Sequence, residues 1–123
     1  MDGFELTYAV NALGSFALTI LLLQQSHLVS DARIVSVSST GMYKGSQANK
    51  SPTSLNSPDL LDAFKDGELL PAGHMFKLYQ RSKALQVVFT IELQERLQRD
   101  PRYRDAVVQC CHPGKPHTLL APP

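Results

Sequence analysis

Apolar and polar residues alternate along the chain in blocks that predict four elements of secondary structure. The block from Phe4 to Gln25 is apolar on nearly all sides at helical spacing, which predicts a helix packed between neighbours on both faces. The short β-branched block from Ala32 to Ser38 is typical of a strand. Helical spacing returns from Met75 to Arg99, and a second short apolar strand covers Ala106 to Cys111. The predicted order is helix, strand, helix, strand.

Strands separated by a helix of this length imply a parallel pair with a right-handed crossover and helices that cover the sheet. The predicted fold class is therefore doubly wound α/β, with a sheet that is only partial because two strands cannot complete it. Residues 40–73 are rich in Gly, Ser, Asn and Pro, which predicts a long loop insertion before the second helix.

Composition and charge exclude some classes of function. The 123 residues are 43% hydrophobic and 19% charged, as expected for one small globular domain. The net charge is +1, and the lysines and arginines are scattered along the chain. There is therefore no electrostatic reason to expect nucleic acid or an acidic membrane as a partner.

The apolar block near the N-terminus raises the question of a signal peptide or an anchor. Its flank, Met1 to Glu5, is acidic where a signal peptide needs positive charge. Asn11 and Gly14 interrupt the block, so we expect it to be too short and too polar to cross a bilayer. The two cysteines, Cys110 and Cys111, are adjacent and do not suggest an oxidising compartment. We therefore expect an intracellular, cytoplasmic protein without a membrane span.

Side chains of the types that bind zinc are grouped around the second strand. They are Cys110, Cys111, His112 and His117. Neighbouring residues of a strand point to opposite faces, so these side chains cannot readily converge on one ion. We expect packing to explain the cysteines and predict no metal site.

Tyr79 and Lys83 lie four positions apart in the second predicted helix and therefore share one face. That offset is about 6 Å along the helix axis, so the cation can stabilise a developing phenolate and lower the pKa of Tyr79 from about 10. An aromatic side chain packed inward beside a solvated lysine remains the alternative explanation of this pair. Asn11, in the middle of an apolar helix, is either a kink or a functional group that faces a polar cavity.

Segments far apart in the chain converge on one edge of the predicted sheet. In open parallel sheets, ligands bind beyond the carboxyl ends of the strands. Ser39 follows the first strand, and Pro113 and Gly114 follow the second. The helix that carries Tyr79 begins near the same edge, because it runs antiparallel to the strands. This edge is the predicted site.

Asn11, Ser39, Tyr79 and Lys83 resemble the Asn-Ser-Tyr-Lys set of the short-chain dehydrogenase/reductase family. The resemblance runs in order along almost the whole chain, through the segments Val10-Asn11-Ala12-Leu13-Gly14, Arg33-Ile34-Val35-Ser36-Val37-Ser38-Ser39, Tyr79-x-x-Ser82-Lys83 and His112-Pro113-Gly114. It is strongest to the retinol-dehydrogenase-like branch, whose members carry a long insertion between the Ser and the Tyr. It implies a Rossmann-like sheet, with residues 1–123 as a single partial domain that is the C-terminal half of a nucleotide-binding fold, truncated at both ends.

The resemblance also implies a reaction, the transfer of a hydride between a nicotinamide and a carbonyl or alcohol substrate. Tyr79 would give or take the proton at the substrate oxygen, and Ser39 would hydrogen-bond that oxygen. Lys83 would lower the pKa of Tyr79 and bond the nicotinamide ribose, and Asn11 would hold a water that links Lys83 to solvent. Ser39 is preferred to Ser38 because the family places its catalytic serine at the end of the serine pair.

Further cofactor contacts follow from the same resemblance. Pro113 and Gly114 would shape the turn beside the nicotinamide, and Thr118 matches the family's threonine four residues after that glycine. The implied cofactor is NAD(P), with NADP(H) preferred, although the residues that distinguish NAD from NADP follow a strand that this chain lacks. The implied substrate is a small lipophilic ketone, aldehyde or alcohol.

The chain departs from the family pattern in its glycines. The seven glycines do not form the Gly-x-x-x-Gly-x-Gly or Gly-x-Gly-x-x-Gly loop that brings the backbone close to a pyrophosphate. The cofactor site is therefore expected to be incomplete and the isolated chain inactive. The alternative function is that of a catalytically silent relative that acts as an interaction or oligomerisation module. A homo-oligomer is one such form, since unpaired apolar strand edges favour association.

Overall fold

A computed structural model of the chain describes residues 4–43 and 72–114. The elements are helix α1 (Leu6–Gln24), strand β1 (Arg33–Val37), helix α2 (Ala72–Arg99) and strand β2 (Val107–Cys111). The predicted order of elements is confirmed, and α2 begins three residues before its predicted start. Residues 44–71, most of the predicted loop insertion, lie outside the described residues, as does Thr118.

Strands β1 and β2 form a two-stranded parallel sheet, as predicted. Ile34 pairs with Val108, and Val37 at the end of β1 pairs with Cys111 at the end of β2. The ladder continues past the strand end, where the Ser38 backbone N–H donates to the Cys111 carbonyl at 2.7 Å. The carboxyl ends of both strands therefore meet at one edge. This arrangement is compatible with a partial Rossmann-like fold; the predicted division into a single partial domain stays a prediction.

The hydrophobic core lies between the C-terminal half of α2 and the sheet. Its buried members are Leu93, Leu97, Tyr103, Ala106 and Val108, and Leu23, Leu28, Ile34 and Phe89 pack against them half-buried. Leu93 and Leu97 are one helical turn apart and so face the sheet together. Each fully buried side chain of this size contributes about 1.5–3 kcal/mol. Tyr103 also donates its hydroxyl to the Leu23 carbonyl at 3.2 Å, which joins the turn before β2 to the end of α1.

The outer edge of β2 is held by a side chain of α2. The Gln94 side-chain oxygen accepts from the Val108 N–H at 2.6 Å, and its NH₂ group donates to the Ala106 carbonyl at 3.2 Å. These two backbone groups point away from β1, because Val107 between them pairs with the β1 side. Gln94 thus provides hydrogen-bond partners for two backbone groups on the outer edge of β2, which no other described strand covers.

Helix α1 is more exposed than its composition predicts. It packs on α2 through Phe16 and Phe89, whose ring centroids are 4.9 Å apart, and none of its residues is buried. The prediction of neighbours on both faces is therefore wrong for the described residues. An all-apolar pattern requires cover on every side, and here α2 covers one side only, so that Leu6 is 75% exposed.

The same helix bears on the expectation that the chain has no membrane span. Among the described residues, Leu6–Gln24 is one helix of 19 residues that is long and apolar enough to cross a bilayer. The expectation that it is too short and too polar is wrong on these two criteria. Helices in the core of soluble proteins also meet these two criteria, so length and composition do not distinguish a membrane span from a packed helix.

Candidate active site

Asn11 lies in an irregular turn of α1. Residues Ala9–Gly14 form a π-helical segment, a distortion that occurs frequently at functional sites. The Asn11 side-chain NH₂ donates to the Ser82 hydroxyl of α2 at 3.1 Å, and Ser82 donates in turn to the Tyr79 carbonyl at 2.8 Å. Ser82 is fully buried. Asn11 is therefore both the centre of a helix distortion and a polar link to the part of α2 that carries Tyr79.

Tyr79 and Lys83 share one face of α2. The Lys83 Nζ is 5.8 Å from the centroid of the Tyr79 ring, which stacks on Phe76 at a centroid distance of 6.1 Å. The same Nζ donates to the Val37 carbonyl at 2.9 Å and to the Gln86 side-chain oxygen at 3.1 Å. Lys83 thus joins the end of β1 to the helix face that carries the phenol.

The two serines after β1 have different surroundings. Ser38 is buried and donates its hydroxyl to the Lys83 carbonyl at 2.8 Å, so it fixes the strand end against α2. Ser39 is half-buried, and its hydroxyl oxygen accepts from the Gly41 N–H at 3.1 Å. Among residues 4–43 and 72–114, no acceptor for the Ser39 hydroxyl proton is present.

Gly41 separates Ser39 from Tyr79. A side-chain carbon added at Gly41 would lie 3.5 Å from the Ser39 Oγ and 3.8 Å from the Tyr79 Cε1. It would also lie 3.3 Å from the Gln80 Cγ. The absence of a side chain at this position therefore leaves space that the serine hydroxyl and the phenol ring both border.

Pro113 and Gly114 follow β2 at the same edge of the sheet. Gly114 has φ of +79°, which glycine adopts without steric cost, and its N–H donates to the His112 Nδ1 at 3.1 Å. Both residues are exposed, and the described contacts do not join them to Tyr79 or Lys83. Thr118 lies outside the described residues.

Four of the predicted site residues lie around one part of α2, two of them directly beside each other and the other two through Ser82 and across the space at Gly41. They are Asn11, Ser39, Tyr79 and Lys83. Ser38, Ser82 and Gln86 also contact Lys83 or Tyr79 and are not among the predicted site residues. Ser82 and Gln86 follow Tyr79 by three and seven positions, so helical periodicity places them near the same face and could have indicated them. Over residues 4–43 and 72–114, no group of three or more His, Cys, Asp or Glu side chains is placed to hold a metal.

Comparison with known proteins identifies the relatives of this sequence. It is 34% identical to retinol dehydrogenase 14 of Mus musculus over 119 residues, which are 97% of this chain and 30% of that protein. It is 37% identical to retinol dehydrogenase 12 of Homo sapiens over 97 residues, or 79% of this chain and 26% of that protein. This chain belongs to the retinol-dehydrogenase-like branch of the short-chain dehydrogenase/reductase family.

A third similar protein is named as a short chain dehydrogenase/reductase. It is the short chain dehydrogenase/reductase dpchH of Colletotrichum higginsianum, 33% identical over 106 residues, which are 80% of this chain and 25% of that protein. The chain therefore spans about 30% or less of the length of these curated relatives. No protein-family model matches the chain, and no solved structure matches it significantly. The relatives place the chain in an oxidoreductase family.

Proposed function

We propose that this chain carries the proton-transfer centre of an NAD(P)-dependent oxidoreductase that acts on a small lipophilic carbonyl or alcohol. The observation that carries the proposal is the grouping of Ser39, Tyr79 and Lys83 at the carboxyl end of β1. The Lys83 ammonium donates to the Val37 carbonyl there, and the Ser39 hydroxyl and the Tyr79 ring border one space, beyond a strand end where parallel sheets bind ligands. A phenol beside an ammonium and a hydroxyl is suited to exchange a proton with a substrate oxygen.

Each side chain has a distinct part in this chemistry. In reduction, the Tyr79 hydroxyl gives its proton to the carbonyl oxygen, and Ser39 donates a hydrogen bond to the same oxygen as negative charge develops there. The Lys83 ammonium stabilises the phenolate that Tyr79 leaves behind. Asn11 positions this face of α2 through Ser82 and is proposed to hold a water that reprotonates the site. In oxidation, Tyr79 takes the proton from an alcohol. NAD(P), when bound, supplies or accepts the hydride at the substrate carbon.

The described residues fit the nicotinamide end of the cofactor. An ammonium has three N–H donors, and Lys83 uses two of them on Val37 and Gln86. The third donor is available to a ribose hydroxyl. Pro113 and Gly114, at the same sheet edge, are proposed to line the nicotinamide, together with Thr118. The site for the pyrophosphate is incomplete because the chain lacks a glycine-rich loop.

The proposed substrate and location follow from chemistry and packing. Four of the relatives are named retinol dehydrogenases, and retinol is a lipophilic alcohol, so we propose a substrate of that class with NADP(H) as the preferred cofactor. We also propose an intracellular, cytoplasmic protein. The support for this location is that α1 is tied to α2 by the Asn11–Ser82 hydrogen bond and by the Phe16–Phe89 contact, as in a helix that belongs to a folded domain.

The experiment that tests this function places the chain in a complete enzyme. In mouse retinol dehydrogenase 14, the 119 matched residues are replaced by those of this chain, and NADPH binding is measured by equilibrium dialysis. We expect the chimera to bind NADPH and the isolated chain not to bind it. A chimera that unfolds cooperatively on heating but binds no NADPH contradicts the proposal.

A second function is favoured by one observation, the apolar surface along α1 and α2. A groove of about 350 Å³ lies between the helices and is lined by Phe16, Leu85, Val88 and Phe89 among others. Phe16 and Val88 are exposed, as are Leu18 and Leu21 elsewhere on α1. Exposed apolar surface of this kind is typical of contact sites. In this function the chain is catalytically silent and acts by association, as a homo-oligomer.

The two functions are distinguished by the oligomeric state and by chemistry. Sedimentation should show a dimer or larger species for the wild-type chain and a smaller one for Val88→Glu, since a charge in the groove opposes burial. An active chimera in which Val88→Glu leaves turnover unchanged supports the enzyme. Self-association that Val88→Glu abolishes, together with a folded but inactive chimera, supports the association module.

A further inference from the structure

The Lys83 ammonium is held by two oxygens that come from different elements. One is the carbonyl of Val37 at 2.9 Å, which ends β1, and the other is the side-chain oxygen of Gln86 at 3.1 Å, one turn further along α2. Gln86 is only 7% exposed although it is polar. A buried amide of this kind is stabilised when it has a partner, and the Lys83 ammonium is the partner that the structure shows for its oxygen.

The phenol, the ammonium and the amide lie in order along one face of α2. Tyr79, Lys83 and Gln86 follow one another at spacings of four and three, so the ammonium lies between the phenol ring on one side and the amide on the other. Lysine has a long, flexible side chain that loses much rotamer freedom when it is fixed. Gln86 and Val37 together define one position for its end, 5.8 Å from the centre of the Tyr79 ring.

We propose that Gln86 is a positioning residue that holds the Lys83 ammonium within reach of Tyr79; this inference rests on the proposed function. The neutral amide is suited to this role because it accepts a hydrogen bond from the cation without cancelling its charge. The full positive charge then remains to stabilise the Tyr79 phenolate. A carboxylate at position 86 would hold the ammonium equally well but neutralise it, and an aliphatic side chain would leave it unrestrained.

The position of the ammonium can be tested without cofactor or substrate. The folded 123-residue chain is acylated briefly with an amine-selective reagent, and labelling at each lysine is measured by mass spectrometry. Lys77, exposed on the same helix, is the internal reference. Removal of one hydrogen bond in Gln86→Leu should raise labelling of Lys83 relative to Lys77 by roughly two- to tenfold. Gln86→Glu should restore the protection, since it keeps an acceptor oxygen.

A structural control is available one turn further along. Thr90 is buried, and its hydroxyl donates to the Gln86 backbone carbonyl at 2.8 Å rather than to the side chain. Thr90→Val should therefore leave the Lys83 labelling unchanged. Equal labelling of Lys83 in wild type and Gln86→Leu overturns the inference. So does an increase of the same size in Thr90→Val, which would reflect loosening of the helix.

Turnover in the retinol dehydrogenase 14 chimera supplies the functional readout. Gln86→Leu and Gln86→Glu should both lower kcat, by up to about a hundredfold, while the KM for substrate changes little. Of the two variants, only Gln86→Glu should combine a low kcat with low labelling of Lys83. A variant that has lost its fold would instead combine a low kcat with high labelling of Lys83. Wild-type kcat in both variants overturns the inference while the chimera's own activity supports the proposed function. An inactive wild-type chimera contradicts the function, and the labelling still decides whether Gln86 positions Lys83.

Discussion

The side chain of Asn11 on α1 donates a hydrogen bond of 3.1 Å to the hydroxyl of Ser82 on α2, across 71 positions of sequence. Ser82 is fully buried and donates its own hydroxyl to the Tyr79 carbonyl at 2.8 Å. The π-helical turn that contains Asn11 is thereby fixed against the helix face that carries the phenol. The geometry of the candidate site depends on how these two helices meet.

The first prediction concerns this contact. In a double-mutant cycle of Asn11→Ala and Ser82→Ala, unfolding in urea should give a coupling free energy of about 0.5–1.5 kcal/mol. The matched control pairs Asn11→Ala with Ser15→Ala. Ser15 donates to the backbone carbonyl of Asn11, which the alanine keeps, so that pair should be additive. Additive effects of Asn11 and Ser82 would show that their hydrogen bond does not hold the helices together.

The second prediction compares two tyrosines with different tasks. Tyr103 donates its hydroxyl to the Leu23 carbonyl from a buried position, so Tyr103→Phe should lower the free energy of unfolding by about 1 kcal/mol. The Tyr79 hydroxyl has no hydrogen bond within the described residues, so Tyr79→Phe should leave stability nearly unchanged. Thermal unfolding of the two variants measures the difference. Equal losses would mean that the Tyr79 hydroxyl has a structural role.

The third prediction concerns the edge of β2. Gln94→Leu removes both side-chain hydrogen bonds to Ala106 and Val108 and leaves these backbone groups unpaired, which should cost about 1–3 kcal/mol. Gln98→Leu, an exposed position on the same helix, should stay within about 0.5 kcal/mol of wild type. Urea unfolding provides both values. A result in which the two variants are equally stable would contradict the assigned role of Gln94.

The fourth prediction is a pH dependence in the turn before β2. Hydrogen bonds from the Arg102 side chain and backbone lower the pKa of the Asp100 carboxyl, and this contact raises the pKa of the Arg102 guanidinium. A carboxyl whose pKa is lower in the folded state than in the unfolded state, where it is about 3.9, stabilises the fold at pH values above that unfolded-state pKa. This stabilisation is lost as the pH falls through the folded-state pKa. Asp100→Asn should therefore be less stable than wild type at pH 7, and the difference should vanish in acid.

Arg102 is exposed and Asp100 is half-buried, so solvent reaches the pair and salt should weaken the effect. The control is Asp105→Asn in the same turn, since Asp105 forms no ion pair among the described residues. At pH 7 its free energy of unfolding should stay within about 0.5 kcal/mol of wild type. A gap between Asp100→Asn and wild type that persists below about pH 3 would show that hydrogen-bond geometry, not charge, causes it.

The sequence predicts the elements well because their periodicity is local. The spacing of four between Tyr79 and Lys83 places them on one helix face in any surroundings, and the β-branched block around Val35 forms a strand as expected. Asn11 stands out because an amide in an apolar helix is unfavourable without a partner. These are properties that a short stretch of chain determines by itself.

The partners of the polar residues on α2 and the exposure of α1 depend on contacts between segments that are distant in the sequence. In the sequence, Ser82 and Gln86 are ordinary polar helix residues, and only the approach of Asn11 and of the Lys83 ammonium gives these buried side chains their partners. The exposure of α1 is likewise a property of its neighbours, since an apolar helix has the same pattern whether one or both faces are covered. Periodicity therefore places Ser82 and Gln86 near the face of Tyr79 but does not show which partners they contact.

The proposed function requires Tyr79 to exchange a proton with the substrate during hydride transfer. The most direct measurement uses the chimera with mouse retinol dehydrogenase 14, NADPH deuterated at the transferred position, and retinal as a lipophilic aldehyde. Mass spectrometry of the alcohol then follows deuterium transfer. We predict that Tyr79→Phe lowers the transfer rate by about 10²–10⁴-fold with NADPH binding unchanged. Transfer at the wild-type rate in Tyr79→Phe would exclude the Tyr79 hydroxyl as the proton donor.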